Sequence, residues 1–501
     1  MARLDLFPRI CIALGCTDPD AMLAQARREA ETGETFFEFR LDYLERPEQG
    51  ARLIRSLLQR HPDCSVLATC RRQQNHGRFA GSVEEQLRLL EAAGKAGAVA
   101  VDVEIESAEA AADRMEPLRG RVRLLLSYHN YESTPALEPV LRRMMHIPAD
   151  GYKLVTTARK PSDNYRLVSL ARAHPRVPLI AMAMGEMGFP ARVLSVAYGG
   201  LHTYAAPASA AGTAPGQVCA RNLRQLYRVE KLVKTAKVYS VIAHPVQRSL
   251  SPAVHNRAFR SRRISAVYLP FLVPPTQLGD FFALAGKLPV AGFSVTIPHK
   301  QRVLRHVDAV EPLARRIGAV NTVWRKAGRW RGANTDADGV RLPLERHLRL
   351  AGASILLVGN GGAARSAAFA LTDAGAKVSI VGRNPEPVRA LARACGAEAL
   401  LREHLATRHF DGLVHTTPLG MFPHLDDCFF PDRVPAEVVF DMVYNPQDTL
   451  LLRRAREQGK TVISGLEMFL EQAARQFEIW TGESAPRAAM ERAALEALAG
   501  H

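Results

Sequence analysis

Lysine is scarce for a basic chain: only eleven of its 66 Lys and Arg side chains are lysine, and the rest are arginine. The sequence has no run of 18 or more apolar residues, which argues against a membrane-spanning helix. Its seven cysteines show no C-x-x-C spacing, and Cys11 and Cys16 stand too far apart to supply one. A zinc or dithiol motif is therefore excluded, and reduced, structural thiols are expected. The basic residues form no block of five or six and are not interleaved with aromatics, so the net charge of +16 does not mark a nucleic-acid surface. Anionic small substrates fit that charge better. There is no internal repeat and no low-complexity tract. The opening "MARLDLFPRICIALG" reaches a strand-like run within its first residues, leaving no room for a signal or transit peptide, so a cytoplasmic location is expected.

What remains is an ordinary globular composition, 47% apolar and 23% charged, long enough at 501 residues for two or three domains. The first part carries eight short apolar runs, "RICIALG", "FFEFRLD", "SVLATCR", "AVAVDVE", "RLLLSYH", "GYKLVT", "PLIAMAM" and "GLHTYAA". Stretches of helical period such as "SVEEQLRLLEAAGKAG" lie between most of them. Strands alternating with helices imply parallel pairing, and eight such units predict a closed (β/α)8 TIM barrel. Catalytic groups of that fold sit where strands end, and Arg40, Arg71, Glu104, His129 and Lys153 fall there. A looser Ala/Pro/Gly-rich segment follows, and the boundary is expected between residues 225 and 237. Beyond it the pattern restarts as α/β.

Lys153 stands inside the apolar run "DGYKLVTTA", where burying an ammonium is costly unless it is paired or loses its proton. An amine can lose that proton and attack a carbonyl; a guanidinium cannot. His129 ends the preceding strand, close enough to shuttle a proton from the C–H that an iminium acidifies. Arginines at other strand ends suit a substrate carboxylate.

The second half offers Ser249 and Ser251 in "HPVQRSLSPAVHN", then Thr296, Lys300, Asn321 and Asp336 in "FSVTIPHK", "IGAVNT" and "GANTDADG". These are short polar groups suited to a small polyhydroxylated ring. "LLVGNGGAAR" sets Gly359, Gly361 and Ala364 in a G-x-G-x-x-[GA] pattern after a strand and before a helix, a pyrophosphate cradle. The next strand ends in "VGRN", with Arg383 where an acid would read a 2′-hydroxyl, which favours NADP over NAD.

The runs "FEFRLD", "TCR", "SYHNYESTP", "YKL", "MGEMGFPAR" and "TAPGQ", in that order over residues 9 to 217, resemble the type I 3-dehydroquinate dehydratases. The resemblance implies Lys153 as Schiff-base lysine and His129 as general acid/base. It implies Glu38, Arg40, Arg71, Arg192, Thr213 and Gln217 as substrate contacts. The family usually has R-x-x-x-E-G-G where this chain has "RRQQNHG", so Asn75 replaces a glutamate; Thr213 replaces a serine and keeps the hydroxyl. Imine formation is expected to persist while proton transfer is weakened or its pH optimum lowered, and Asn75→Glu is expected to raise turnover near neutral pH.

From about residue 237 onward, with "TTPLGM", "DMVYNP" and "GLEMFLEQA", the chain resembles shikimate dehydrogenases. That implies Lys300 and Asp336 as the catalytic pair. Ser249, Ser251, Thr296, Asn321, Tyr444 and Gln472 would join Asp336 in binding the ring and its carboxylate. Gly359, Gly361, Gly362, Ala363, Ala364, Arg383, Asn384, Met442 and Gly465 would line an NADP(H) site. Asn360, where alanine is common, is expected to matter little. The domains expected are the dehydratase barrel at 1–225, a linker at 226–236 and a substrate domain at 237–340 completed by 465–501. A Rossmann NADP domain is expected at 341–464. The product of the first reaction is the substrate of the second, and no metal is implied. Two alternatives stay open: an NAD-dependent oxidation of quinate or shikimate, and a barrel retained only as a scaffold.

Overall fold

The computed structural model describes residues 7–208, 212–246 and 249–499. It divides into two compact units, Met1–Lys237 with Ser265–Pro289, and Val238–Ile264 with Val290–His501. Among the described residues no helix is long and apolar enough to cross a membrane.

In the first unit eight strands alternate with helices: β1 (Ile10–Leu14), β2 (Phe36–Arg40), β3 (Ser65–Thr69), β4 (Ala100–Glu104), β5 (Arg123–His129), β6 (Gly151–Thr157), β7 (Leu179–Met184) and β8 (Thr203–Ala205). Each pairs in parallel with its sequence neighbour from β1 to β7, and β8 pairs with β1. The seam lies between β7 and β8, where Leu201 N–H donates to Leu179 O at 2.9 Å. The sheet is the near-closed barrel expected of eight β/α units. Because side chains alternate along a strand, register stacks the inward residues in layers. Phe36, Leu67, Ala100, Leu125 and Ile180 make an apolar floor. One step up come Glu38, Asp102, Ser127 and Lys153, with Ser127 beside Lys153 in register. The next step carries Arg40, Glu104 and His129. The helix Val83–Lys95 starts at a Ser82/Glu85 capping box. That cap aims the buried Gln86 at Glu104 Oε2 (2.6 Å) and the Cys70 carbonyl (2.8 Å).

In the floor His202 packs against Phe7, Phe36 and Tyr204, with neither ring nitrogen hydrogen-bonded. Burial holds its pKa down at about 3.

Strand β10 (Ala266–Leu272) falls in the segment grouped with the barrel. The second unit holds β9 (Lys237–Ala243), β11 (Val290–Val295), β12 (Ala309–Val310), β13 (Thr322–Lys326) and β14 (Arg329–Ala333). They lie side by side as β9-β11-β13-β14-β12, with β13 antiparallel to both neighbours. A second, wholly parallel sheet follows: β15 (Ser354–Val358), β16 (Lys377–Val381), β17 (Glu398–Ala399), β18 (Phe410–His415), β19 (Ala436–Asp441) and β20 (Thr461–Ile463), in the order β17-β16-β15-β18-β19-β20. The order reverses between β15 and β18, which opens a ligand crevice at their carboxyl ends.

His202 yields a stability prediction. Its folded pKa lies below the unfolded value of about 6.5, so below pH ~6.5 the unfolded chain takes up a proton the folded barrel refuses. Stability is therefore lost as pH falls from there toward the folded value. His202→Phe removes the effect, so its urea midpoint is expected to exceed that of the unaltered protein by more at pH 5 than at pH 8.

Candidate active sites

One cavity at the barrel mouth is lined by Glu38, Arg40, Arg71, His129, Lys153, Arg192, Thr213 and Gln217, together with Tyr43, His76, Tyr131 and Tyr204. Eight of the barrel residues singled out from sequence thus face one space; Glu104, the other strand-end candidate, is not among its lining residues and accepts from Gln86 instead. Lys153 is buried, and its Nζ donates to Asp102 Oδ2 at 2.9 Å and Glu38 Oε1 at 3.3 Å. It also sits 4.1 Å from the centre of the Tyr204 ring, a further support for a cation. The carboxylates are themselves held, Glu38 by Thr69 Oγ1 at 2.8 Å and Asp102 by Ser127 Oγ at 2.5 Å. Burial alone would raise the Asp102 pKa, but Lys153 and Arg71 outweigh it and hold the group below the usual carboxylate range. His129 is driven well below the usual imidazole range, first by burial and then by Arg71, Lys153 and Arg40. It is a neutral base ringed by cations.

The arginines divide by partner. Arg40 makes two hydrogen bonds to Asp42 at 2.9 and 2.8 Å, so that fork is taken. Arg71 lies 3.7 Å from Asp102 and 3.5 Å from Glu104, with Nε and Nη2 unsatisfied. Arg192 is buried, and its hydrogen-bond partners among the described residues are the Pro215 carbonyl (3.2 Å) and Met182 Sδ (3.6 Å); burial pulls its pKa down to about 10. Two cationic forks thus offer donors to an anion.

The loop after β3 corrects a sequence expectation. Asn75 does not face His129: its side chain donates outward to Glu106 Oε2 at 2.8 Å. A glutamate in that position would meet Glu106, so Asn75→Glu alone is no longer expected to raise turnover. The next residue, His76, lines the cavity instead.

In the second unit Lys300 Nζ donates to Asp336 Oδ2 at 2.6 Å, and Asn321 Nδ2 donates to Asp336 Oδ1 at 2.7 Å. Asn321 is locked in turn, because its Oδ1 accepts from Thr335 N–H at 2.8 Å. Gln476 braces the same strand end through Thr322 Oγ1 (3.1 Å) and Ser294 Oγ (2.7 Å). Ser249 Oγ accepts from Ser251 N–H at 3.3 Å, at the start of the helix Ser251–Ser261. Thr296 is tied to β9 through Ile242 O, 3.2 Å from its N–H. Tyr444 packs on Phe469, whose carbonyl accepts from Gln472 Nε2 at 2.9 Å.

The glycine turn after β15 has the shape a diphosphate needs. Gly359 has φ +122°, and a Cβ there would lie 2.3 Å from Thr416 Oγ1. Cβ atoms at Gly361 and Gly362 would meet nothing within 4 Å, which leaves an open concavity. The helix Gly362–Asp373, containing Ala363 and Ala364, begins there without a side-chain cap, so its first N–H groups are available to an anion. Arg383 and Asn384 follow the adjacent strand β16, both exposed. Met442 N–H donates to His415 O at 3.0 Å, and Gly465 lies against the Met442 and Val443 carbonyls.

Sequence reasoning missed several groups. Asp102 is an acid inside the apolar run "AVDVE", and only its register beside Lys153 marks it. Gln476 stands one helical turn beyond Gln472 and makes the contacts to β13. His415, between Asp441 Oδ1 (2.9 Å from Nδ1) and Thr417 Oγ1 (2.5 Å from Nε2), joins the ends of β18 and β19.

The type I 3-dehydroquinase family matches residues 10–234. The shikimate dehydrogenase substrate binding domain matches 241–323, and the shikimate 5'-dehydrogenase C-terminal domain matches 465–495. A chloroplastic bifunctional 3-dehydroquinate dehydratase/shikimate dehydrogenase of Arabidopsis thaliana is 35% identical over 95% of this chain and 83% of its own length. A shikimate dehydrogenase (NADP(+)) of Oleidesulfovibrio alaskensis is 40% identical over 52% of this chain and 96% of its own. Among solved structures, a shikimate dehydrogenase in complex with NADP+ is 34% identical, with a TM-score of 0.50, over 52% of this chain and 96% of that one.

The buried pair gives a prediction. Asp102→Asn leaves the Lys153 charge with Glu38 alone, and about 3 kcal/mol of barrel stability is expected to be lost at pH 7, measured by urea unfolding. Because the folded pKa of Asp102 lies below the unfolded value of about 3.9, the stabilisation it brings is present above that pH and fades as pH falls through the folded value. The variant's stability is expected to fall less steeply below pH ~4.

Proposed function

The chain belongs to the bifunctional 3-dehydroquinate dehydratase/shikimate dehydrogenases, and from that premise we propose which side chains carry the two reactions. It dehydrates 3-dehydroquinate to 3-dehydroshikimate and reduces the product to shikimate with NADPH. The observation that carries the assignment of residues is the single cavity in which Lys153 and His129 face Arg192, with Glu38, Arg40, Arg71, Thr213 and Gln217 around them.

In the barrel, the Lys153 amine, once deprotonated, adds to the ring ketone and expels water, leaving an iminium. That cation draws electrons from the neighbouring C–H bond. His129, neutral because it is buried among cations, accepts the proton. Loss of the β-hydroxyl as water, with a proton returned by the imidazolium, forms the double bond. Hydrolysis of the imine frees Lys153. Arg192, whose guanidinium has only a carbonyl and a sulfur as partners among the described residues, binds the substrate carboxylate. Arg71 and Gln217 hold the ring hydroxyls.

In the second unit the glycine turn, the uncapped helix start and Arg383 fit a dinucleotide bearing a 2′-phosphate. Gly359, Gly361, Gly362, Ala363, Ala364, Asn384, Met442 and Gly465 line that site. NADPH supplies the hydride when bound. Lys300 donates the proton to the reduced oxygen, and Asp336, oriented by Asn321, holds the lysine and receives the neighbouring hydroxyl. Ser249, Ser251, Thr296, Tyr444 and Gln472 bind the remainder of the ring and its carboxylate. Domain limits of 1–225, 226–236, 237–340 with 465–501, and 341–464 accompany this reading. A cytoplasmic location is supported by seven cysteines that are all free thiols.

Two exchanges separate the activities. Lys153→Met is expected to abolish dehydration and the borohydride-trapped adduct with 3-dehydroquinate, detected by intact mass, while NADP+-dependent oxidation of shikimate continues. Lys300→Met is expected to slow that oxidation by about 10²–10⁴-fold and leave dehydration intact. Full activity of either variant in its own reaction would refute that assignment.

A further inference from the structure

Among the described residues His76 is one of four non-glycine residues with positive φ, at +60° with ψ 26°. The position is where the resembled pattern has a glycine, and a non-glycine residue there is strained. The turn is tightly held. Gly77 N–H donates to Arg72 O at 2.9 Å and Phe79 N–H to Arg71 O at 3.1 Å, and a Cβ on Gly77 would lie 2.0 Å from Arg71 O. The chain therefore tolerates a strained histidine on a turn built against a residue of the cavity.

The imidazole of His76 is exposed but points into the mouth, where its ring centre lies 4.3 Å from that of Tyr131. Tyr131 stacks in turn on His129, 6.1 Å away at 22° between planes. His129 Nδ1 has no hydrogen-bond partner among the described residues. A general acid/base imidazole is ordinarily oriented by a bond to its second nitrogen. Here Asn75, at the place of the acid in the resembled R-x-x-x-E-G-G pattern, is turned away toward Glu106. What remains to fix the ring is the aromatic stack.

We propose that His76 is a positioning residue of the dehydratase reaction, its ring pressing Tyr131 onto His129 in place of an orienting carboxylate. The proposal rests on Lys153 and His129 being the dehydratase centre. Stacking of this kind is favourable beyond simple burial, enough to bias a ring that has no hydrogen bond on one side. His76 thus acts after imine formation, at proton transfer, and not on substrate affinity.

The test uses the full-length protein with His76→Gly and His76→Phe. His76→Gly relieves the backbone strain, so its urea midpoint is expected to be unchanged or higher, and oxidation of shikimate unchanged. Its kcat for dehydration is expected to fall about tenfold or more with KM within about twofold, because a misplaced general base costs rate and not binding. Borohydride should still trap 3-dehydroquinate on Lys153. His76→Phe keeps the stack without the nitrogens and is expected to recover at least about half of the lost kcat. A His76→Gly enzyme with kcat within about twofold of the unaltered protein, or a His76→Phe enzyme as slow as His76→Gly, would overturn the proposal. Failure of the unaltered protein to form the Lys153 adduct would instead bring down the assignment of the centre beneath it.

Discussion

The barrel is organised around one buried ammonium. Lys153 sits in the second inward layer of the sheet, where water cannot solvate it, and such a charge persists only if carboxylates meet it at hydrogen-bond distance. Asp102 and Glu38 do so from two other strands, and each is fixed by a hydroxyl, Ser127 and Thr69, on a neighbouring strand. Five strands, β2 to β6, must therefore hold their mutual register for a single amine to be tolerated. A slip of one residue in β4 would swing Asp102 out of the interior. Burial, with Arg71, Lys153 and Arg40 close by, holds His129 well below the usual imidazole range, so the buried lysine contributes to the neutrality of the imidazole beside it.

The second lysine answers a different demand. Lys300 is partly open to solvent, its side chain 21% exposed, with one carboxylate at 2.6 Å. A nucleophile needs a dry cavity in which its bond to carbon is protected. A proton donor needs a path back to water. The two burial levels match the two tasks proposed for these lysines, and the scarcity of lysine elsewhere made both residues visible.

Much of this was legible in the sequence because period-two strands, helix caps and glycine turns are local features. The eight runs became β1 to β8, and Lys153 and His129 fell at adjoining strands as their spacing required. The turn at Gly359 likewise follows from neighbours in sequence. What escaped depends on the meeting of distant segments. Asp102 looks like a stray acid until register sets it beside Lys153. Gln472 and Gln476 share a helix, and only packing decides which braces β13. The side-chain direction of Asn75 is set by Glu106, 31 residues away, and no local rule turns it outward or brings His76 inward.

The balance of charge around the barrel mouth has its own consequence. Arg40 is matched by Asp42, Lys153 by Asp102 and Glu38, and Arg71 stands near Asp102 and Glu104, whereas Arg192 has no carboxylate partner among the described residues. One unmatched fork makes the cavity a receptor for a monoanion. A ring bearing a second anionic group would find the other cations of the wall already facing Asp42, Glu38, Asp102 and Glu104, with no further unmatched charge to offset it. Discrimination against phosphorylated or dicarboxylic look-alikes is thus written into the electrostatic count of the walls, independently of their shape.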